Sequence, residues 1–236
     1  AAVPYVDGFI FLFLGGMVIA CGMEQSGLHR RIALHIMRLI GTEPRRLLLG
    51  FMVATAFISL WISNTATATM MLPIGMAVIA ELEAETGRRM THYGCAIMLA
   101  VAYGANIGGI GTLIGTAPNA QFAGFVAKHL GRQVGFLDFF AIGLPFVAVF
   151  LPIAWWAIWR VGRKEGLDAS TGRAAIAAGI AKMGPMKRDE KIVLAVFGLA
   201  ALLWTLSQPI SARLRIPSKQ WEWSVALVAV FEIHSE

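Results

Sequence analysis

Charge is scarce in this sequence. Asp, Glu, Lys and Arg make up 14% of its 236 residues, hydrophobic residues make up 57%, and the mean hydropathy is +0.68. A soluble domain typically carries about 25% charged residues, so an ordinary soluble fold is excluded. A membrane helix needs about 20 apolar residues in a row, and the chain has several such segments. The alternating pattern of a transmembrane barrel is absent. The sequence therefore predicts an all-α integral membrane protein.

Cysteine is also scarce, with Cys21 and Cys95 as the two. Two cysteines in apolar surroundings form no disulfide framework, and we expect both to be free, buried thiols. The sequence shows no cluster of metal ligands, no phosphate loop after a strand and no nucleophile–base pair, so we expect no enzymatic chemistry. The net charge of +6 does not indicate nucleic acid, because the basic residues lie in short loops between apolar segments.

Two long stretches, 47–80 and 93–127, contain no charged residue at all. Each is too long for one ordinary span and is interrupted in its middle. Ser63, Asn64 and Thr65 interrupt the first, which we interpret as a re-entrant helical hairpin. Glycine crowds the second between residues 104 and 115, and we interpret it as two half-helices joined by a linker that is unwound over 106–112. Backbone leaves the helical ladder at membrane depth only where it lines a cavity or is buried in protein, so each interruption predicts a site.

The residue types at the interruptions favour an anion beside a small cation. Half-helix N-termini attract anions, and unwound carbonyls hold cations. Ser59 and Ser63 share a helix face, and Asn64 or Thr65 suits the N-cap of the helix that follows. Neither stretch contains Asp or Glu, so a cation there binds to neutral oxygens and binds weakly alone. Opposite charges about 4 Å apart attract by several kcal/mol where screening is poor. Each ligand should therefore raise the affinity for the other.

The basic loops orient the chain. If loops 26–46, 81–92 and 160–191 are all cytoplasmic, the segment 47–80 enters and leaves the membrane on one side, as a hairpin does. The loop at Lys128 and Arg132 also carries charge, so this fit is not unique.

The first and last residues predict a piece of a longer protein, because the chain begins without Met and an apolar helix has barely started at Trp223. The predicted organisation is a scaffold span plus an interfacial amphipathic helix (1–46), the hairpin (47–80), a discontinuous transmembrane helix (81–132), a transmembrane helix (133–165), a cytoplasmic loop (166–190), and a transmembrane helix with the start of the next (191–236).

The two interruptions resemble a known family. Residues 61–67, Trp-Ile-Ser-Asn-Thr-Ala-Thr, followed by Met-Leu-Pro at 71–73, resemble the Ser-Asn-Thr signature of the divalent-anion/sodium symporters, which carry dicarboxylates, citrate and sulfate. Residues 108–112, Gly-Gly-Ile-Gly-Thr, and 115–119, Gly-Thr-Ala-Pro-Asn, resemble that family's second conserved stretch. The family often has a second proline where this chain has Ala117. It also has two Ser-Asn-Thr hairpins where this chain has one, so the second half is expected to be missing.

The resemblance implies an inverted-repeat transporter of the plasma membrane. It implies a multi-pass homodimer with an elevator-type movement, in which sodium is co-transported with a di- or tricarboxylate. The implied sodium site comprises Ser59, Ser63, Asn64, Gly108, Gly109 and Thr112, and the implied substrate site comprises Asn64, Thr65, Thr116 and Pro118.

Other functions stay open at this point. A carrier of the same fold could exchange anions without sodium, or could carry sulfate or another oxyanion. A membrane scaffold subunit without transport activity is an alternative from another class. An intramembrane enzyme is a distant third, since it would need paired acids or a metal set in the spans.

Overall fold

The computed structural model describes residues 8–132, 134–165 and 173–214, and the regular structure in these ranges is helical, with no strand. This confirms the all-α prediction. The helices are α1 (Gly8–Ser26), α2 (Leu28–Ile40), α3 (Pro44–Ser59), α4 (Asn64–Thr86), α5 (Thr91–Gly109), α6 (Ala117–Leu130), α7 (Phe136–Gly162), α8 (Arg173–Met183) and α9 (Arg188–Leu214), with a 3-10 turn at Arg163–Glu165.

The centre of the fold is the contact between α3 and α5. Phe51 and Met52 on α3 and Ile97 on α5 are fully buried, and α4 and α7 pack around them. Two glycines let the α5 backbone approach α3. A Cβ added to Gly104 would lie 2.9 Å from the Met52 carbonyl oxygen, and one added to Gly108 would lie 2.3 Å from that of Ala56.

This packing corrects the predicted position of the second interruption. The sequence placed an unwound linker over 106–112, but α5 stays helical through Gly109. Glycine destabilises an isolated helix by about 1 kcal/mol per residue. Here the close approach to α3 outweighs that penalty, so the glycines mark a packing surface and the helix ends later.

Helix α2 has its apolar face buried in protein. Leu28, Ala33, Leu34 and Met37 are buried, and a Cβ added to Gly50 on α3 would lie 3.1 Å from the Met37 Cα. The apolar stripe that indicated an interfacial helix therefore packs on α3. The exposed face of α2 carries Arg30, His35 and Arg38.

Within the described part of the chain, two helices are long and apolar enough to cross a membrane, α4 and α7. In α7, 17% of the apolar window is buried inside the protein, against 39% in α4. A core helix of a soluble protein would be mostly buried, so the exposed apolar surface of α7 fits a lipid environment.

An ion pair joins α2 to α9. The Arg31 guanidinium lies 2.9 Å from Glu190, whose side chain is 5% exposed, and it also donates to the carbonyl oxygens of Gly184 (3.1 Å) and Pro185 (3.3 Å) in the turn between α8 and α9. The backbone N–H of Lys187 donates to the same carboxylate at 2.8 Å. Arg31 thus fixes this turn against α2.

One expectation about the cysteines is wrong. Cys21 on α1 and Cys95 on α5 are free, but both are exposed. Apolar sequence neighbours do not imply burial on a helix whose outer face is itself apolar. Within the predicted loop 166–190, residues 173–183 form α8, whereas residues 166–172 lie outside the described part of the chain. The predicted helix start at Trp223 also lies outside it.

Candidate functional site

The first interruption separates α3 from α4. Helix α3 ends at Ser59 and α4 begins at Asn64. The predicted position, 63–65, is therefore slightly too late, and the N-cap is neither Asn64 nor Thr65. The cap is Ser63, whose hydroxyl oxygen accepts a hydrogen bond from the Ala66 N–H at 3.4 Å. Capping by Ser63 leaves the amide of Asn64 available for other contacts.

The second interruption spans residues 110–116, between the end of α5 and the start of α6. Thr116 has extended backbone angles and precedes Ala117 and Pro118, which open α6. The side-chain amide of Asn119 donates to the carbonyl oxygens of Gly109, at 2.8 Å, and Thr112, at 2.7 Å. Asn119 thereby ties the start of α6 to the end of α5 and to the linker between them.

The two interruptions touch each other. The Thr112 hydroxyl donates to the Leu60 carbonyl oxygen and accepts from the Gly115 N–H at 3.1 Å. A Cβ added to Gly115 would lie 2.9 Å from the Ser59 carbonyl oxygen, and one added to Gly109 would lie 2.0 Å from Asn64 Oδ1. Only residues without a side chain permit this approach.

An oxygen cluster lies where the interruptions meet. The buried hydroxyl of Ser59 is 2.9 Å from Asn64 Oδ1 and 2.8 Å from the Ala105 carbonyl oxygen. A hydroxyl has one proton, and the other two oxygens have none. Ser59 can therefore donate to one of them at a time, and the remaining oxygen pair faces lone pair to lone pair. A small cation resolves such a surplus, and neutral oxygens are ligands that hard cations accept.

The other end of Asn64 is also held. Its Nδ2 donates to Asn106 Oδ1 at 3.2 Å. The amide therefore directs its oxygen toward Ser59 and its nitrogen toward α5.

Helix N-termini supply the positive end of the site. Helices α4 and α6 both begin at an interruption, and the first turn of a helix leaves backbone N–H groups without helical partners. Thr65 and Pro118 lie in these first turns and are exposed, and Thr116 is half-buried. Such N-termini favour a negatively charged ligand.

The residues predicted to bind sodium fall into two groups, those that meet at the oxygen cluster and those whose oxygens have other hydrogen bonds. Ser59, Asn64 and Gly109 meet directly. The side-chain oxygens of Ser63 and Thr112 have structural hydrogen bonds, and the Gly108 carbonyl oxygen accepts from the Gly111 N–H at 2.9 Å. The roles of all these residues toward sodium or substrate stay predictions.

Sequence reasoning missed several residues of this site. The carbonyl oxygen of Ala105 has no sequence signal, because any residue type has one. Asn106, Gly115 and Asn119 stood out in the second interruption, but nothing in the sequence assigned them a partner.

Interrupted helices that meet at a cluster of neutral oxygens are typical of secondary transporters. Comparison with known families gives the particular class. Over residues 1–232 the chain matches the sodium:sulfate symporter transmembrane region, and it belongs to this family. The resemblance seen around residues 61–73 and 108–119 is thereby confirmed.

Similar proteins are known from Staphylococcus aureus. Those of strains NCTC 8325 / PS 47 and COL are each described as sodium-dependent dicarboxylate transporter SdcS. Each is 38% identical to this chain over 229 residues, which is 94% of this chain and 44% of the relative. The chain thus spans less than half the length of these relatives.

Proposed function

We propose that the protein carries out sodium-coupled symport of di- or tricarboxylate anions across the plasma membrane, with no enzymatic step. The observation that carries this proposal is the cluster of three oxygens that share one proton, at Ser59, Asn64 and Ala105, beside the N-terminus of α4. The sodium dependence and the dicarboxylate substrate in the names of the relatives support it.

Sodium is the cation that we assign to this cluster. Ser59 Oγ, Asn64 Oδ1 and the Ala105 carbonyl oxygen are its central ligands in this proposal. The other members of the predicted set are Ser63, Gly108, Gly109 and Thr112. Since all these ligands are neutral, sodium binds weakly until an anion neutralises its charge nearby.

The anion binds at the first turns of α4 and α6 in this proposal. Asn64 and Thr65 contact one carboxylate, and Thr116 and Pro118 lie along the substrate. The stretches 47–80 and 93–127 contain no Lys or Arg, so helix N-termini and the bound sodium provide the positive charge. This arrangement makes the binding of the two ligands cooperative.

The proposal includes an architecture in the membrane. Helices α3 and α4 form a re-entrant hairpin, and α5 and α6 form one discontinuous transmembrane helix. The protein is a multi-pass homodimer in which the domain that contains the hairpin moves relative to a scaffold in an elevator-type shift. The basic loops on either side of α3–α4 support the hairpin.

Uptake of labelled succinate into proteoliposomes tests the proposal. With the full-length protein, we expect accumulation under an inward sodium gradient and little uptake when potassium replaces sodium. Equal uptake in both conditions would reject sodium coupling and favour the exchanger. Competition by unlabelled sulfate and citrate distinguishes an oxyanion carrier.

A second arm addresses the scaffold alternative. Replacing Asn64 by Ala should abolish uptake while the protein still folds. The matched control is Thr86→Ala on the same helix, where the hydroxyl bonds only to its own helix, at Leu82, and uptake should be retained. A scaffold subunit would show no uptake before or after either substitution.

A further inference from the structure

We propose that Asn106 is a positioning residue for sodium binding, which sets the direction of the Asn64 amide without touching the ion. This inference rests on the proposed function. The carbonyl oxygen of an asparagine side chain accepts hydrogen bonds and its amino group donates, so its two ends have opposite uses at a cation site. Only the orientation with Oδ1 toward Ser59 offers a ligand to sodium.

The contact with Ser59 alone does not select that orientation. Ser59 has one proton, which it can donate to the Ala105 carbonyl oxygen at 2.8 Å. If the Asn64 amide turned over, its Nδ2 would donate to Ser59 Oγ, and every group on that side would be satisfied without an ion. The turned amide would thus close the cation site.

The contact with Asn106 opposes this reversal. Asn64 Nδ2 donates to Asn106 Oδ1 at 3.2 Å. Turning Asn64 alone would bring two carbonyl oxygens together at this distance, which leaves both without a proton. The two amides therefore turn together or not at all. One arrangement of the pair presents an oxygen to sodium, and the other satisfies itself in the absence of the ion.

Substitutions at residue 106 separate these arrangements. Asn106→Asp keeps an acceptor of the same shape that has no donor end, so it holds Asn64 in the orientation that binds sodium. Asn106→Leu keeps the shape and removes the acceptor. The effect of one hydrogen bond corresponds to a change in sodium affinity of between about twofold and about tenfold.

We expect Asn106→Leu to raise the sodium concentration for half-maximal uptake by that factor. The maximal rate at saturating sodium and the preference for sodium over lithium should both be retained, because Asn106 does not contact the ion. Asn106→Asp should keep or lower the half-maximal sodium concentration. The control for its added charge is Ala102→Asp, one turn earlier on α5 and also exposed, which should shift sodium affinity less.

The outcomes are distinguishable. If the unmodified protein needs no sodium, the proposed function fails. If the unmodified protein needs sodium, two results would show that the positioning role is wrong. One is that Asn106→Leu leaves the half-maximal sodium concentration unchanged. The other is that Asn106→Asp weakens sodium binding as Asn106→Leu does. Should Asn106→Leu lose transport altogether, sodium-induced thermal stabilisation of the purified Asn106→Asp protein decides the matter. A sodium-induced shift at least equal to that of the unmodified protein supports the proposal, and its loss overturns it.

Discussion

At this site, the absence of a side chain on glycine matters as much as the oxygens that other residues contribute. Gly109 and Gly115 have no side chain, and this lets the backbone at the end of α5 and in the second interruption approach Asn64 and Ser59 closely. The oxygens of Ser59, Asn64 and Ala105 then lie within hydrogen-bond distance with one proton among them. The ion site in this proposal is thus a result of close backbone packing.

Gly109→Ala tests that dependence. A Cβ at this position would lie 2.0 Å from Asn64 Oδ1, so the amide must leave Ser59. We expect sodium-dependent uptake to fall by at least about tenfold, as when one hydrogen-bonded ligand is lost, while circular dichroism shows unchanged helix content. The matched control is Gly198→Ala on α9, where an added Cβ meets nothing within 4 Å. It should keep full uptake and stabilise its helix by roughly 0.5 to 1 kcal/mol. Normal uptake by Gly109→Ala would mean that Asn64 does not lie against Gly109.

Residue type predicted part of this site. Ser59 and Asn64 were identifiable because small polar side chains are costly in an apolar stretch unless something satisfies them. The carbonyl oxygen of Ala105 could not be predicted, since its availability depends on how α5 packs against α3. The pairing of Asn106 with Asn64 joins positions 42 residues apart, and no local pattern reveals such a contact.

At the scale of helices, both interruptions were predicted and both were misplaced by a few residues. Glycine density indicated unwinding from residue 106, whereas α5 continues to Gly109 because Gly104 and Gly108 pack against α3. Local propensity cannot distinguish a glycine that breaks a helix from one that lets two helices approach. The amphipathic pattern of α2 was equally ambiguous, since it fits a lipid surface and a protein surface alike.

The ion pair between α2 and α9 predicts a pH dependence. Burial alone would raise the pKa of Glu190, but hydrogen bonds from Arg31 and the Lys187 N–H, with the positive charges of both residues, lower that pKa below its usual value. A lowered pKa means that the pair stabilises the fold fully above the ordinary carboxyl pKa of about 4.3. This contribution is lost as the pH falls through the lowered value.

We therefore expect Glu190→Gln to reduce the free energy of unfolding at pH 7 by on the order of 3 kcal/mol, since it leaves Arg31 partly buried without its partner charge. The difference from the unmodified protein should shrink below about pH 4. Denaturant unfolding in detergent across this pH range measures it. Glu43→Gln is the control, because that carboxylate lies 3.5 Å from Arg46 with half of its side chain exposed. It should change the free energy by less than about 1 kcal/mol. A difference for Glu190→Gln that is constant with pH would contradict the assigned ion pair.

For the molecule as a whole, the proposed hairpin determines how α3 and α4 sit in the membrane. The basic loops favour a hairpin that enters and leaves on the cytoplasmic side. Helix α4, however, has 23 residues and is apolar enough to cross alone. The two arrangements differ in the side on which the turn between α4 and α5 emerges, and this turn contains Arg88.

Labelling of single cysteines distinguishes the hairpin from the arrangement in which α4 crosses the membrane alone. The background protein has Cys21 and Cys95 changed to Ser. Three single cysteines are then introduced at exposed positions in the basic loops: Glu43→Cys, Arg88→Cys and Arg163→Cys. Each should react with a membrane-impermeant maleimide only from the cytoplasmic side. Arg132→Cys, between α6 and α7, should react only from outside, because α5 and α6 together cross once in the proposed architecture. If Arg88→Cys reacts from outside instead, α4 is a complete span and the hairpin is wrong. A crossing by α4 alone would place the interruption that precedes it at the cytoplasmic surface. The oxygen cluster at Ser59 and Asn64 would then lie near that surface, and the proposed site for sodium and anion inside the membrane would fail with it.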